Sequence, residues 1–278
     1  MISKWSLETN MEQRHAFMIV IEHMLHNDPE QMLMFITGIG RSGKSHLIRV
    51  IVDVFAQKGH SREILLSAPT GSAACLIDGF MIHALTLMNS QSMGDANQQT
   101  VDMDELQEIW HDVTYLVLDE VSMVSMELLA NIAKWISLAK AGEPERRDKP
   151  FGGINIIFMG GMVQLRPING TVLYSHAVVN NLSRCMFETV KAQRHLFGAF
   201  LWRSLTHVVQ LVQNEHAKAD LTFIEMLGWI RLGSATMSVG SPPSDWHHLQ
   251  QRLLSELHKN SIDDFLHFSE APIVFGEC

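Results

Sequence analysis

Apolar positions along the chain follow two rhythms. Phe17, Val20, Ile21, Met24 and Leu25 share the spacing of one helical face, and Asn10 and Gln13 flank its start at capping-box spacing. Leu47, Ile48, Ile51, Val54 and Phe55 repeat that spacing up to a stop near Gly59. Leu128, Leu129, Ile132, Ile136 and Leu138 repeat it within a helix expected over 126–140. Between these stretches lie short unbroken apolar runs at 32–37 (MLMFIT), 64–67, 115–118 and 154–159 (INIIFM). Runs of that length without alternation read as strands buried on both faces. A further strand is expected at 208–212 and another at 271–275, with helices over 221–232 and 246–258. A small-residue helix should start near Ser72 after a Pro/Gly turn. Residues 88–104 are polar and read as a surface insertion, 141–153 as a charged loop, and 238–245, with Pro242 and Pro243, as a linker.

Strands that alternate with helices imply an α/β fold with a mainly parallel sheet covered on both faces. Ligands in such sheets bind beyond the carboxyl ends of the strands. Composition adds little to this picture. The chain has 278 residues, 46% of them hydrophobic and 18% charged, so it is not of the disordered class. A net charge of −9 provides no broad cationic surface for nucleic acid or anionic lipid, so any such contact must follow a local track. The three cysteines never form a CxxC pair, and the fifteen histidines are scattered, which favours packing and surface roles over metal ligation. No run approaches a membrane span, and an intracellular setting is expected.

The candidate chemistry lies where two of the apolar runs end. Residues 38–45 read GIGRSGKS, which fits the phosphate-loop pattern G-x-x-x-x-G-K-[ST] between a strand and a helix. Gly38, Gly40 and Gly43 would let backbone N–H groups turn toward phosphate oxygens, and the following helix would add its positive end. Lys44 would reach the β- and γ-phosphates, and the Ser45 hydroxyl would ligate magnesium. The run at 115–118 ends in Asp119 and Glu120. Asp119 would share the magnesium with Ser45, and Glu120 would act as general base on water. An acidic pair capping the next helix is the alternative for both. Gln164 follows the run at 154–159, where it is either a sensor of the γ-phosphate or an amide satisfying its own loop.

Taken in order, these segments resemble the amino-terminal motor domain of the Pif-type (petite-integration-frequency) DNA helicases, RecD-like members of superfamily one that include Helitron-borne forms. The resemblance runs from about Leu7 to Leu232 and rests on APTGSAA at 68–74, DEVSM at 119–123, FGGINIIF at 151–158 and LWRSLTHVVQL at 201–211. It implies a RecA-like ATP-binding motor domain over 1–203, followed over 204–278 by a connecting segment and the truncated start of a second RecA-like domain. It implies ATP and magnesium as cofactors, and single-stranded DNA or DNA junctions as partners. It also implies 5′-to-3′ translocation in repair, recombination and telomere maintenance, in a nuclear setting. On this resemblance Gln13 reads adenine, with helix capping as its rival. Pro69, Thr70 and Gly71 touch the DNA backbone, His83 follows them as a DNA-side residue or a packed histidine, and Gln164 senses the γ-phosphate. Trp110, Trp135, Trp202, Trp229 and Trp246 are the tryptophans considered for base stacking, with core packing the ordinary fate of most. Nothing in the sequence indicates an oligomeric state.

Several positions depart from the family pattern. Gly160-Gly161-Met162 stands where Gly-Asp-Phe is usual, Arg166 replaces the first of two prolines, and Met81 replaces a threonine. Asn214 to Ala217 occupy the place of an arginine near the γ-phosphate. An arginine at the transferring phosphate is worth roughly 10³ to 10⁵ in rate, or about 4 to 7 kcal/mol. The expectation is therefore a chain that binds nucleotide but hydrolyses it slowly and does not unwind DNA alone. A degenerate, transposon-derived nucleotide-binding remnant is the alternative. An unrelated phosphate-loop enzyme such as a small kinase would explain 38–45 but not the later segments.

Overall fold

A computed structural model describes residues 2–26, 29–88, 102–142, 148–175, 189–213, 225, 228 and 229. The chain divides into two compact units, Met1–His216 and Ala217–Cys278. Among the described residues the first unit carries six strands: β1 (Leu33–Gly38), β2 (Ile64–Ala68), β3 (Phe80–Met81), β4 (Tyr115–Leu118), β5 (Asn155–Gly160) and β6 (His207–Leu211). They form one sheet in the order β3-β2-β4-β5-β1-β6, with every pairing parallel. Its helices are α1 (Met11–Leu25), α2 (Lys44–Gln57), α3 (Gly71–Leu76), α4 (Ile82–Leu85), α5 (Met103–Trp110), α6 (Met126–Ala139) and α7 (Val190–Arg203).

The apolar runs are buried on both faces, as their lack of alternation requires. Leu33 and Phe35 of β1, Leu116 and Leu118 of β4, and Ile156 and Phe158 of β5 join one core cluster with α5, α6 and α7. Met34 and Ile36, Tyr115 and Val117, and Ile157 and Met159 join a second cluster with α1 and α2. Successive residues of each strand thus feed opposite layers. Trp110 and Trp135 are buried in the first cluster, and Trp202 stacks edge-on against Phe35 and Phe158 at 5.0 and 5.5 Å.

Several elements go beyond the sequence reading. The strand expected at 208–212 lies at 207–211, and it pairs with β1 from Met34↔His207 to Gly38↔Leu211. That segment, which falls in the stretch expected to connect two domains, pairs within the first unit's sheet, and the contact boundary falls after His216. Backbone pairing outweighs motif order here, because β1 offers a free edge that β6 completes. Helix α5 begins inside the expected insertion, where the Asp102 carboxylate accepts from the N–H groups of Asp104 and Glu105 and caps it. The charged loop ends in a buried turn, with Phe151 fully enclosed. Helix α7 lay unread in the sequence. The elements expected at 238–245, 246–258 and 271–275, most of the helix at 221–232 and most of the insertion at 88–104 lie outside the described residues, as do Asn214 to Ala217 and Trp246. Among the described residues, no helix is long and apolar enough to cross a membrane.

Candidate functional site

The strand order decides which loops meet. β5 lies between β1 and β4, so the segment that follows it emerges between the loop after β1 and the acidic pair after β4. β2, on the far side of β4, delivers Pro69, Thr70 and Gly71 to the same carboxyl edge.

The loop at 38–45 turns through Arg41 at φ 64° and Gly43 at φ 82°, and Gly43 precedes the first residue of α2. The left-handed value at Gly43 suits glycine, because it carries no Cβ penalty there. Lys44 is 8% exposed, and its ammonium donates to the carbonyls of Gly38 and Ile39 at 3.3 and 3.1 Å. Ser45 lies exposed in the first turn of α2. Ser42 is fully buried against Gly38, where any Cβ would fall 2.4 Å from its hydroxyl.

Asp119 is buried, and its Oδ1 accepts the N–H of Glu120 at 2.8 Å. Burial pushes the Asp119 carboxyl above the usual range, while that hydrogen bond and the Lys44 charge pull it back. Glu120 is also raised, first by burial and then by the Asp119 charge, with Lys44 opposing. Glu120 takes a left-handed conformation at φ 51°, a strained value for a side chain of its size. The alternative of a helix-capping pair fails for α6. Its cap is Ser125, whose hydroxyl accepts the Leu128 N–H at 3.1 Å. Glu120 precedes only a short 3-10 turn and makes no side-chain cap bond.

Gly160 keeps the family's glycine and Gly161 departs from its Asp, and both stand in close quarters. A Cβ on Gly160 would stand 2.9 Å from the Val121 nitrogen, and one on Gly161 would stand 2.7 Å from the Gly38 carbonyl. The end of β5 therefore passes close to both the acidic turn and the phosphate loop. Gln164 closes a tight turn there: its N–H donates to the Gly161 carbonyl at 2.9 Å, and its Oε1 accepts the Gly161 N–H at 3.2 Å. Its Nε2 lies 3.8 Å from where a Cβ on Gly40 would sit. Both readings of Gln164 thus have a geometric footing: the oxygen satisfies its own loop, and the nitrogen borders the phosphate loop.

Gln13 keeps half of the expected capping pair. Its N–H is capped by Asn10 at 3.0 Å, yet its side chain does not complete a capping box. Instead Nε2 donates to the Ser42 carbonyl, also at 3.0 Å. Thr70 caps α3 by accepting the Ala73 N–H at 3.3 Å, and the Met81 sulfur lies 3.7 Å from where a Cβ on Gly71 would sit. His83 is half-buried in α4, and burial lowers its pKa. Sequence reasoning missed Glu127. Its carboxylate pairs with the His195 ring of α7 and accepts the Thr171 N–H at 3.2 Å. It thereby ties α6 and α7 to the segment that carries Gln164. The signal was faint: a lone Glu in the first turn of a helix.

Among known families, the model for PIF1-like helicases matches residues 8–240. The chain belongs to the PIF1-like helicase family. Curated relatives include the ATP-dependent DNA helicase PIF1 of Xenopus laevis, 28% identical over 74% of this chain and 28% of that protein. The yeast Saccharomyces cerevisiae has another of the same name, 27% identical over 82% of this chain and 25% of its own length. The chain thus spans about a quarter of the PIF1 relatives it matches. Among solved structures, the Pif1 helicase of Candida albicans superposes with a TM-score of 0.55 at 24% identity, covering 79% of this chain and 43% of that one. A Bacteroides Pif1 bound to single-stranded DNA gives 0.58 at 20% identity, covering 94% and 56%. These superpositions bear out the RecA-like fold.

Proposed function

We propose that this chain carries the ATP-binding half of a Pif-type motor, binding ATP with magnesium and coupling hydrolysis to 5′-to-3′ movement along single-stranded DNA. The observation that carries the reading is the convergence on one sheet edge of the phosphate loop, buried Asp119 with half-buried Glu120, and Gln164. The donor set fits magnesium: one carboxylate and one hydroxyl are hard oxygen ligands, and this ion keeps water and phosphate for its remaining positions. Magnesium bound there would neutralise phosphate charge during transfer of the γ-phosphoryl group.

The chain's own groups then have separable roles. Lys44 leaves the Gly38 and Ile39 carbonyls and carries its charge to the phosphates. Asp119 stays ionised as a ligand once a cation offsets its burial. Glu120, held above its usual value by burial and the Asp119 charge, is suited to accept a proton from water and release it after turnover. Gln164, beside Gly40, orients that water or reports the γ-phosphate. Pro69, Thr70, Gly71 and His83 form the DNA side, a reading supported by the solved relative bound to single-stranded DNA. The proposed setting is nuclear, in repair, recombination and telomere maintenance.

The test is Mg-ATP binding and ATP turnover with and without single-stranded DNA, for wild type, Lys44→Ala and Glu120→Gln. Binding should be lost in Lys44→Ala and kept in Glu120→Gln. Turnover should be slow in wild type even with DNA and lost in both variants, and brisk DNA-stimulated turnover by wild type would overturn the expectation of slow hydrolysis. Binding indifferent to Lys44→Ala would overturn the reading. Binding without any DNA response would favour a nucleotide-binding remnant.

A further inference from the structure

The geometry points to Gln13 as a positioning residue of the phosphate loop, fixing the direction in which the Gly43 N–H points. Its side chain is 3% exposed and donates across the fold to the Ser42 carbonyl at 3.0 Å. The peptide between Ser42 and Gly43 is planar and trans, so its C=O and N–H point opposite ways. A carbonyl held toward Gln13 therefore turns the Gly43 N–H to the other side, where a phosphate oxygen would be taken. This is the peptide that most needs such a hold. It is followed by Gly43 at φ 82°, one residue after Arg41 at φ 64°, and a peptide beside glycine flips at little steric cost.

The brace is itself anchored. Asn10, 2% exposed, caps the first turn of α1 and fixes where Gln13 starts. The preceding segment grips α2 directly. The Trp5 carbonyl meets His46 Nε2 at 2.9 Å, Trp5 Nε1 donates to Asp53 at 2.8 Å, and Lys4 pairs with Asp53 at 2.7 Å. Turn, loop and α2 thus form one clamped unit, with Gln13 as its contact on the loop. This role acts on any polyphosphate, whereas a base-reading role acts only on ligands that carry adenine. It rests on the reading of 38–45 as a polyphosphate site.

Two measurements on the full chain separate the roles. Gln13→Met keeps length and packing but removes the donor, and Gln13→Glu also removes it while placing an acceptor against the Ser42 carbonyl. In ligand-free protein, amide hydrogen exchange over 38–45 should rise about fivefold in Gln13→Met, the factor for one ordinary hydrogen bond. Exchange over β4 and β5 should be unchanged. The affinity for magnesium tripolyphosphate, which has no base, should fall by a similar factor, and those for ATP and GTP alike. Unchanged loop exchange, with a loss confined to ATP over GTP, would overturn the inference. If wild type binds no polyphosphate, the site reading fails, while the ligand-free exchange still decides whether Gln13 braces the loop.

Discussion

Gly198→Ala tests whether the α6–α7 contact is as close as the structure shows, because two known effects of this substitution oppose each other. In an exposed helix interior, Gly to Ala stabilises by about 1 kcal/mol through backbone entropy. Here the added Cβ would fall 2.0 Å from the Met126 carbonyl oxygen, 2.6 Å from its carbon and 2.9 Å from its Cα. All three are backbone atoms at the head of α6, so no rotamer change relieves the contact. To restore van der Waals separation, α7 must retreat by about 1 Å, which strains a well-packed core by about 1 to 3 kcal/mol. The upper end applies, because the retreat also pulls Trp202 from Phe35 and Phe158 and stretches the Glu127–His195 pair. The expected balance is a net loss of about 2 kcal/mol, or about 4 to 8 °C in Tm for a unit of this size. Thermal and urea unfolding of wild type and variant measure it. A variant as stable as wild type, or more so, would refute the packing argument, because the helix-propensity gain would then stand unopposed.

Two further predictions concern the site carboxylates and the brace beside them. Asp119→Asn should raise the Tm of the ligand-free protein while abolishing the stabilisation that Mg-ATP confers, because burial penalises the Asp119 charge until a cation offsets it. Thermal shift with and without Mg-ATP reads both, and a lowered ligand-free Tm would contradict it. Glu127 has the opposite balance. Burial pushes its carboxyl up, but the His195 contact and the backbone N–H of Thr171 outweigh that and hold it below the ordinary value. A depressed folded pKa contributes stability above the unfolded value, which is lost as pH falls through the folded one. The wild-type stability curve should therefore drop more steeply below about pH 4.5 than that of Glu127→Gln. Parallel curves would remove Glu127 from the account.

The fold was legible where burial on both faces left an unbroken apolar run. The strands at 33–38, 64–68, 115–118 and 155–160 lie within a residue of the sequence reading, because nothing polar competes for those positions. Helix α7 was not legible. Its exposed face carries Val190, Phe197 and Phe200, which erase the contrast between faces that marks an amphipathic helix. α5 was hidden by the polar stretch before it, although Asp102 with Glu105, and Leu106 with Trp110, carry capping and helical spacing. The strand at 207–211 is legible as a strand, but its pairing with β1 is not, since a strand's own residues do not state which edge they will pair with.

The site divides along the same line. Residues whose placement depends on local chain geometry, such as Gly43, Lys44 and Asp119, could be placed from spacing. Residues whose role depends on what the sheet order brings near could not. The family departure at Gly161 takes its meaning from the position of β5 between β1 and β4. There a side chain would meet the Gly38 carbonyl at 2.7 Å, so the close passage of β5 against the phosphate loop and the glycine that permits it are one feature. Gln13 follows the same logic from the other side of the loop. Its spacing from Asn10 suggested a cap and its family match suggested a base, but the fold directs its amide to the Ser42 carbonyl. The phosphate loop is thus held between two groups remote in sequence, Gly161 against its first glycine and Gln13 against the carbonyl before its last. Arg41 and Gly43 supply the turn, and neighbours beyond the motif decide which way its N–H groups face.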